Sequence, residues 1–311
     1  MRQQLDARAS AHGAGDALPA PFGRMFPDLA SGPPPERHEA PQRPAIRRAG
    51  DGYGRLVAHD LGIVTDPAPG VRPSLPSPAA GPPRLALDGL YGAGPLDTPQ
   101  LYDPADRARL LADRARSAPR ELVALHDAVV DEVRAEGLIF WPVVFSEARR
   151  RVVHRYQRAV LDELLPGWVG RPLVDAVRRH GRRFYRPEGA AFVPLELLAL
   201  APWLVPERSP TQPCPAAWTL PPGRDVAAAL GVAPLAPTDV APDAPLDAYV
   251  WAESRIVNNG HRLGPVGGRI LAEVVIGILE LDVDSCLGTF APVLRATRAT
   301  AHSMRTIGGR R

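Results

Sequence analysis

The stretch Gly268-Arg-Ile-Leu-Ala-Glu-Val-Val-Ile-Gly-Ile-Leu-Glu-Leu281 decides the architecture. Ile270, Val274 and Ile278 recur at intervals of four, and Leu271, Val275 and Leu279 form a second row beside them. That period reads as an α-helix, and two adjacent rows make it apolar nearly all round. Such a helix belongs in the middle of a helical core. Two further long helices appear upstream. Leu122, Leu125, Val129 and Val133 place one over 119–135, with Pro119 and Glu121 suited to its first turn. Val152, Tyr156, Val160 and Leu164 place another over 146–165, with an arginine-rich opposite face and Pro166 as its stop. Shorter helices are predicted at 105–115, 171–180, 194–201, 224–230 and 247–257. Strand signals are few and no internal repeat is visible, so the predicted fold is mainly α with long irregular connections.

Those connections are marked by proline. Prolines at 67, 69, 73, 76, 78, 82 and 83 keep residues 66–83 out of any regular element, and 202–222 is irregular for the same reason. Three parts are expected: an extended, proline-rich arm over 1–50, a domain over 51–295 and a basic tail over 296–311.

The 311 residues include 37 Lys plus Arg, and every one of the 37 is arginine. This bias fits codon usage in a GC-rich genome. The absence of lysine excludes a Walker-type phosphate loop, a lysine Schiff base and a protein kinase. Against 34 acidic residues the net charge is only +3, too weak to imply nucleic acid or an anionic membrane as a partner. No apolar run is long enough to span a bilayer, and Met1–Ala20 has no apolar core of a secretory signal, so the default compartment is cytoplasmic. Cys214 and Cys286 form neither a disulfide framework nor a metal-finger spacing. None of the eight histidines stands in a metal-ligand spacing, and no serine or cysteine sits in a nucleophile elbow. Gly264-Pro-Val-Gly-Gly268 precedes a helix but reads first as a tight turn.

One segment carries more. Tyr53-Gly-Arg-Leu-Val-Ala-His-Asp-Leu61 sets His59 beside Asp60 after a short apolar run. It resembles the distal-histidine segment of animal-type haem peroxidases, particularly their bacterial relatives, where the pattern is Gly-Gln-x-x-Asp-His-Asp-Leu. Other segments follow in the family's order. They are Phe22-Gly-Arg-Met-Phe-Pro27, Leu87-Asp-Gly-Leu-Tyr-Gly-Ala-Gly-Pro95 with Leu101-Tyr-Asp103, and His126-Asp-Ala-Val-Val-Asp131. Three more are Glu147 through Tyr156-Gln157 to Gly170, Arg224–Gly231, and Arg262–Glu273. Together they span about two-thirds of the chain.

The resemblance implies the mainly α haem peroxidase fold, shortened by internal deletions. It implies an iron-dependent oxidoreductase that uses hydrogen peroxide on a small-molecule donor, of the kind met in oxidative stress. His59 would be the distal acid–base residue against haem, a task suited to a group that titrates near neutral pH. Arg120 or Arg116 would stabilise charge as the O–O bond breaks. Asp60 and Asp88 would be the remaining oxygen ligands of a structural calcium.

Several family positions are changed. Arg55 stands for the Gln and Ala58 for the Asp of the distal pattern, and Ala86 and Pro82 replace calcium-loop residues. On the proximal side Val193-Pro-Leu-Glu-Leu-Leu-Ala-Leu-Ala201 runs into Pro206 where the iron-ligating histidine falls, and no histidine occurs between His180 and His261. His302-Ser-Met304 echoes proximal wording but lies in the wrong place. Because axial ligation sets how haem reacts, a second reading stands beside the first: a catalytically degenerate homologue serving as a binding scaffold.

Overall fold

A computed structural model describes residues 22–29, 51–62, 82–87, 91, 120–204 and 220–288. In chain order the elements are β1 (Phe22–Gly23), α1 (Asp51–Asp60), α2 (Arg120–Ala135) and α3 (Trp141–Ala159). A π turn (Val160–Leu164) leads into α4 (Leu165–Val169) and α5 (Arg171–His180). Then come β2 (Val193–Pro194), a 3₁₀ segment (Leu195–Leu200), α6 (Ala201–Leu204), α7 (Gly223–Ala229), α8 (Leu246–Asn258) and α9 (Pro265–Leu281). The protein is mainly α, as its periodicity predicts. The predicted helix at 105–115 lies outside the described residues, as do much of the arm and the whole 296–311 tail.

α9 is the axis of the core. Every residue from Val266 to Leu279 except Arg269 is buried. By transfer free energy each large apolar side chain there contributes about 1.5–3 kcal/mol. α4, α5, α8 and the 3₁₀ segment surround the helix. The close approach depends on glycines. A Cβ on Gly277 would lie 2.4 Å from the Tyr185 ring, and one on Gly267 2.8 Å from Val250. α9 begins three residues earlier than predicted. Pro265 occupies the first turn, where a missing N–H costs nothing, and the Glu253 carboxylate of α8 receives the amides of Val266 and Gly267.

α2 and α3 form an antiparallel hairpin that turns at Gly137, whose φ is +94°. Arg151 of α3 is bidentate to Glu136, at 2.5 and 2.6 Å, and Arg155 reaches Glu132 at 2.7 Å. α3 differs from expectation at both ends. It starts at Trp141, because Pro142 fits a first turn and the amides of Val143 and Val144 both return to the Phe140 carbonyl. At the other end Pro166 does not stop the helix. The π turn widens the backbone just before it, which relieves the clash a proline ring makes with the carbonyl four residues back. That carbonyl, of Asp162, is taken by the Arg171 guanidinium instead. The helix therefore runs on to Val169 and ends at Gly170, whose φ is +89°.

Strand structure is minimal among the described residues. β1 pairs with β2 in parallel, Phe22 opposite Val193 and Gly23 opposite Pro194. Met25 and Phe26 then turn into the core, and their amides donate to the buried Glu196 carboxylate at 2.9 and 3.2 Å. A stretch of the N-terminal arm is thus docked against the 3₁₀ segment.

Candidate functional site

The quoted motif forms α1. Leu56, Val57, Ala58, Asp60 and Leu61 are buried, whereas His59 is exposed. Neighbouring residues on a helix point about 100° apart, so His59 and Asp60 cannot share a face. His59 faces outward in the last turn, and its carbonyl accepts the Gly62 amide at 2.8 Å. Asp60 faces inward, and its Oδ2 accepts the Leu87 amide at 3.0 Å.

Asp60 thereby ties α1 to Leu87, at the end of the described stretch 82–87, in which the resemblance places the changed calcium-loop positions Pro82 and Ala86. Described residues of this region are tied by protein groups as well. Arg84 is bidentate to Asp282, at 2.9 and 2.8 Å, and reaches Asp284 at 2.8 Å. Gln157 donates to the Leu85 carbonyl at 2.9 Å and accepts the Cys286 amide at 2.7 Å. Tyr91 shares a hydrogen bond with His126 Nδ1 at 3.0 Å, and the His126 ring stacks on Phe145 at 6.3 Å. Burial pushes the Tyr91 hydroxyl far above the usual phenol range, which keeps it neutral. Leu87, at the middle of these ties, holds a left-handed φ of 56°. Among the described residues no three His, Cys, Asp or Glu side chains converge as metal ligands. Asp88 and Arg116 lie outside the described residues. Arg120 is the first residue of α2, and its backbone alone is described.

Pro206, where the resemblance places the iron-ligating histidine, lies outside the described residues; the residues just before it form α6. This helix packs against α1 at Gly54, where a Cβ would come within 2.6 Å of the Leu204 carbonyl oxygen. α6 contributes buried Ala201, Trp203 and Leu204, none of which ligates iron. Other histidines are placed elsewhere. His154 on α3 bonds the Asp284 carbonyl through Nε2 at 2.8 Å; His180, the last residue of α5, and His261, after α8, are exposed. Among the described residues α1 offers the exposed His59 and α6 no histidine, so this pair of helices supplies no proximal imidazole for haem.

A second group of residues was not singled out by the sequence reading. Glu196, Glu253 and Glu273 are all buried, and each accepts backbone amides from a segment distant in sequence. Glu273, in the middle of α9, takes three. The amides of Arg183, Phe184 and Tyr185 reach its Oε2 at 3.1, 2.7 and 3.0 Å, fixing the loop after α5. Tyr185 closes that loop by donating to the Phe192 carbonyl and accepting the Phe192 amide; burial pushes its hydroxyl up to about 12. Burial pushes Glu253 up to about 7 and raises Glu196 as well, against the amide bonds that favour their charged forms. The available signal was a lone acid inside an apolar run: Ala272-Glu-Val274 and Leu195-Glu-Leu197. A buried carboxylate needs partners, and here the partners are backbone amides.

No family model matches the chain, and no characterised protein or solved structure matches it either.

Proposed function

We propose that this chain is a haem peroxidase-like helical scaffold whose peroxidase chemistry has been lost, a binding protein rather than an enzyme. The observation that carries this reading is the packing of α1 on α6: α1 brings the exposed His59, and α6 brings no side chain that ligates iron. The ties around residues 84–87 support it. Asp60, Gln157 and Arg84 do with protein groups what a bound cation would otherwise do there.

One observation favours a second reading, a haem-dependent peroxidase acting on a small-molecule donor. In the otherwise buried run Leu56–Leu61, His59 is the exposed residue, as an acid–base group that meets a reactant must be. In that reading His59 moves the peroxide proton, and Arg120 or Arg116 supplies fixed positive charge. The test is peroxide-dependent dye oxidation by protein expressed with a haem supply, wild type beside His59→Ala. The scaffold reading predicts the same background rate for both. A rate that depends on His59 overturns it and establishes the second.

A further inference from the structure

The tip of the α2–α3 hairpin is built for an apolar surroundings that the rest of the described fold does not provide. From Gly137 to Ser146 the chain reads Gly-Leu-Ile-Phe-Trp-Pro-Val-Val-Phe-Ser, ten residues without a charge. Ile139 is 87% exposed, Phe140 67% and Val143 48%, among the most exposed large apolar side chains described. Leu138 and Trp141 lie half-buried beneath them. A cluster of this kind marks a contact site rather than ordinary scatter.

The backbone is adapted in the same direction. α3 begins at this tip with no polar side-chain cap and no acid in its first turn. Pro142 has no N–H to satisfy, and Val143 and Val144 both donate to Phe140 O at 3.0 Å. Next to the tip, Glu136 is paired with Arg151 and Glu147 with both Arg150 and Arg151. The Arg134 guanidinium lies 4.7 Å from the Trp141 ring centre.

We infer that this tip inserts shallowly into a phospholipid surface. Ile139, Phe140 and Val143 enter the acyl boundary. Trp141 and Arg134 stay at the headgroup level, where an amphipathic ring and a cation complementary to phosphodiesters belong. A second copy of the chain fits the tip less well. Three exposed side chains fall far short of the roughly 20–30 residues per partner of a standard protein interface. The net charge of +3 gives no sign of this surface, because insertion here rests on a local apolar cluster and not on overall charge.

The test is flotation of the full chain with vesicles of phosphatidylcholine and phosphatidylglycerol in equal parts. The proposal predicts co-flotation, with partition falling about tenfold or more in Phe140→Asp and Ile139→Asp. It predicts a smaller loss in Arg134→Gln and none in Ile256→Asp, an exposed apolar site on α8. Unchanged circular dichroism of the tip variants keeps the comparison valid, since both side chains are already in water. Failure of the wild type to float, or equal flotation of Phe140→Asp, overturns the proposal. So does a lipid-independent dimer, seen by analytical ultracentrifugation, that Phe140→Asp disperses; the tip is then an interface between copies.

Discussion

α9 and α1 both carry ionisable residues inside apolar runs, and they place them differently. In α9, Glu273 points into the core and takes three amide protons from the loop after α5. In α1, Asp60 points inward and takes the Leu87 amide, while His59 beside it points to solvent. The same helical geometry thus yields an architectural residue in one case and an accessible one in the other. What separates them is the neighbouring backbone. A carboxylate enters the core where unpaired amides meet it, and a histidine with no such demand stays outside.

The comparison breaks most sharply at Glu273. Glu273→Leu keeps the apolar character of α9 but strands three amides, and should lower stability by about 3–5 kcal/mol. Urea unfolding measures this. A loss below about 1 kcal/mol would mean that the loop does not depend on the helix. Glu253 sharpens the comparison through pH. Its carboxyl is held up to about 7 by burial, against 4.5 for the unperturbed group. The folded protein therefore keeps this proton to higher pH than the unfolded chain. The stability it contributes is full below about pH 4.5, declines as pH rises toward 7, and is flat above that. Over this window the decline is at most about 3 kcal/mol. Glu253→Gln should abolish that part of the slope in unfolding curves taken at pH 5 and pH 7.5, and an unchanged slope would show that the group does not titrate there.

Smaller effects are expected around α1. Asp60→Ala removes one carboxylate-to-amide bond and should cost about 1–2 kcal/mol, read from the shift of the urea midpoint. Smallest of all is the effect of chelation. With residues 84–87 tied by Asp60, Gln157 and Arg84 itself, adding EDTA should leave the melting temperature unchanged. A drop of several degrees would reveal a calcium ion that these ties do not replace.

Much of the fold was legible where one rule dominates. α9 and α2 announce themselves by apolar period, and the predicted 171–180 is α5 to the residue because Gly170 and Gly181 bracket it. Pro166 misled because proline normally ends a helix, and only the tertiary fold reveals the π turn and the Arg171 side chain that accommodate it. Pairing of Phe22–Gly23 with Val193–Pro194 joins residues 171 apart, and two-residue strands leave no periodic trace. At the candidate site the motif gave His59 and Asp60 as adjacent residues. Their opposite orientations follow from helical geometry, but which of them faces inward depends on the Leu87 amide, and sequence does not bring that amide near. The buried glutamates stayed hidden because an acid in an apolar run has the same letter whether it meets water or amides.

The central proposal is that His59 on α1 serves no bound haem. Titration of the purified protein with ferric haem, followed by absorption in the Soret region, tests it most directly. The account predicts no saturable complex at one haem per chain and the same spectra for wild type and His59→Ala. A one-to-one complex with a sharp, cyanide-sensitive Soret band, lost in His59→Ala, would contradict it.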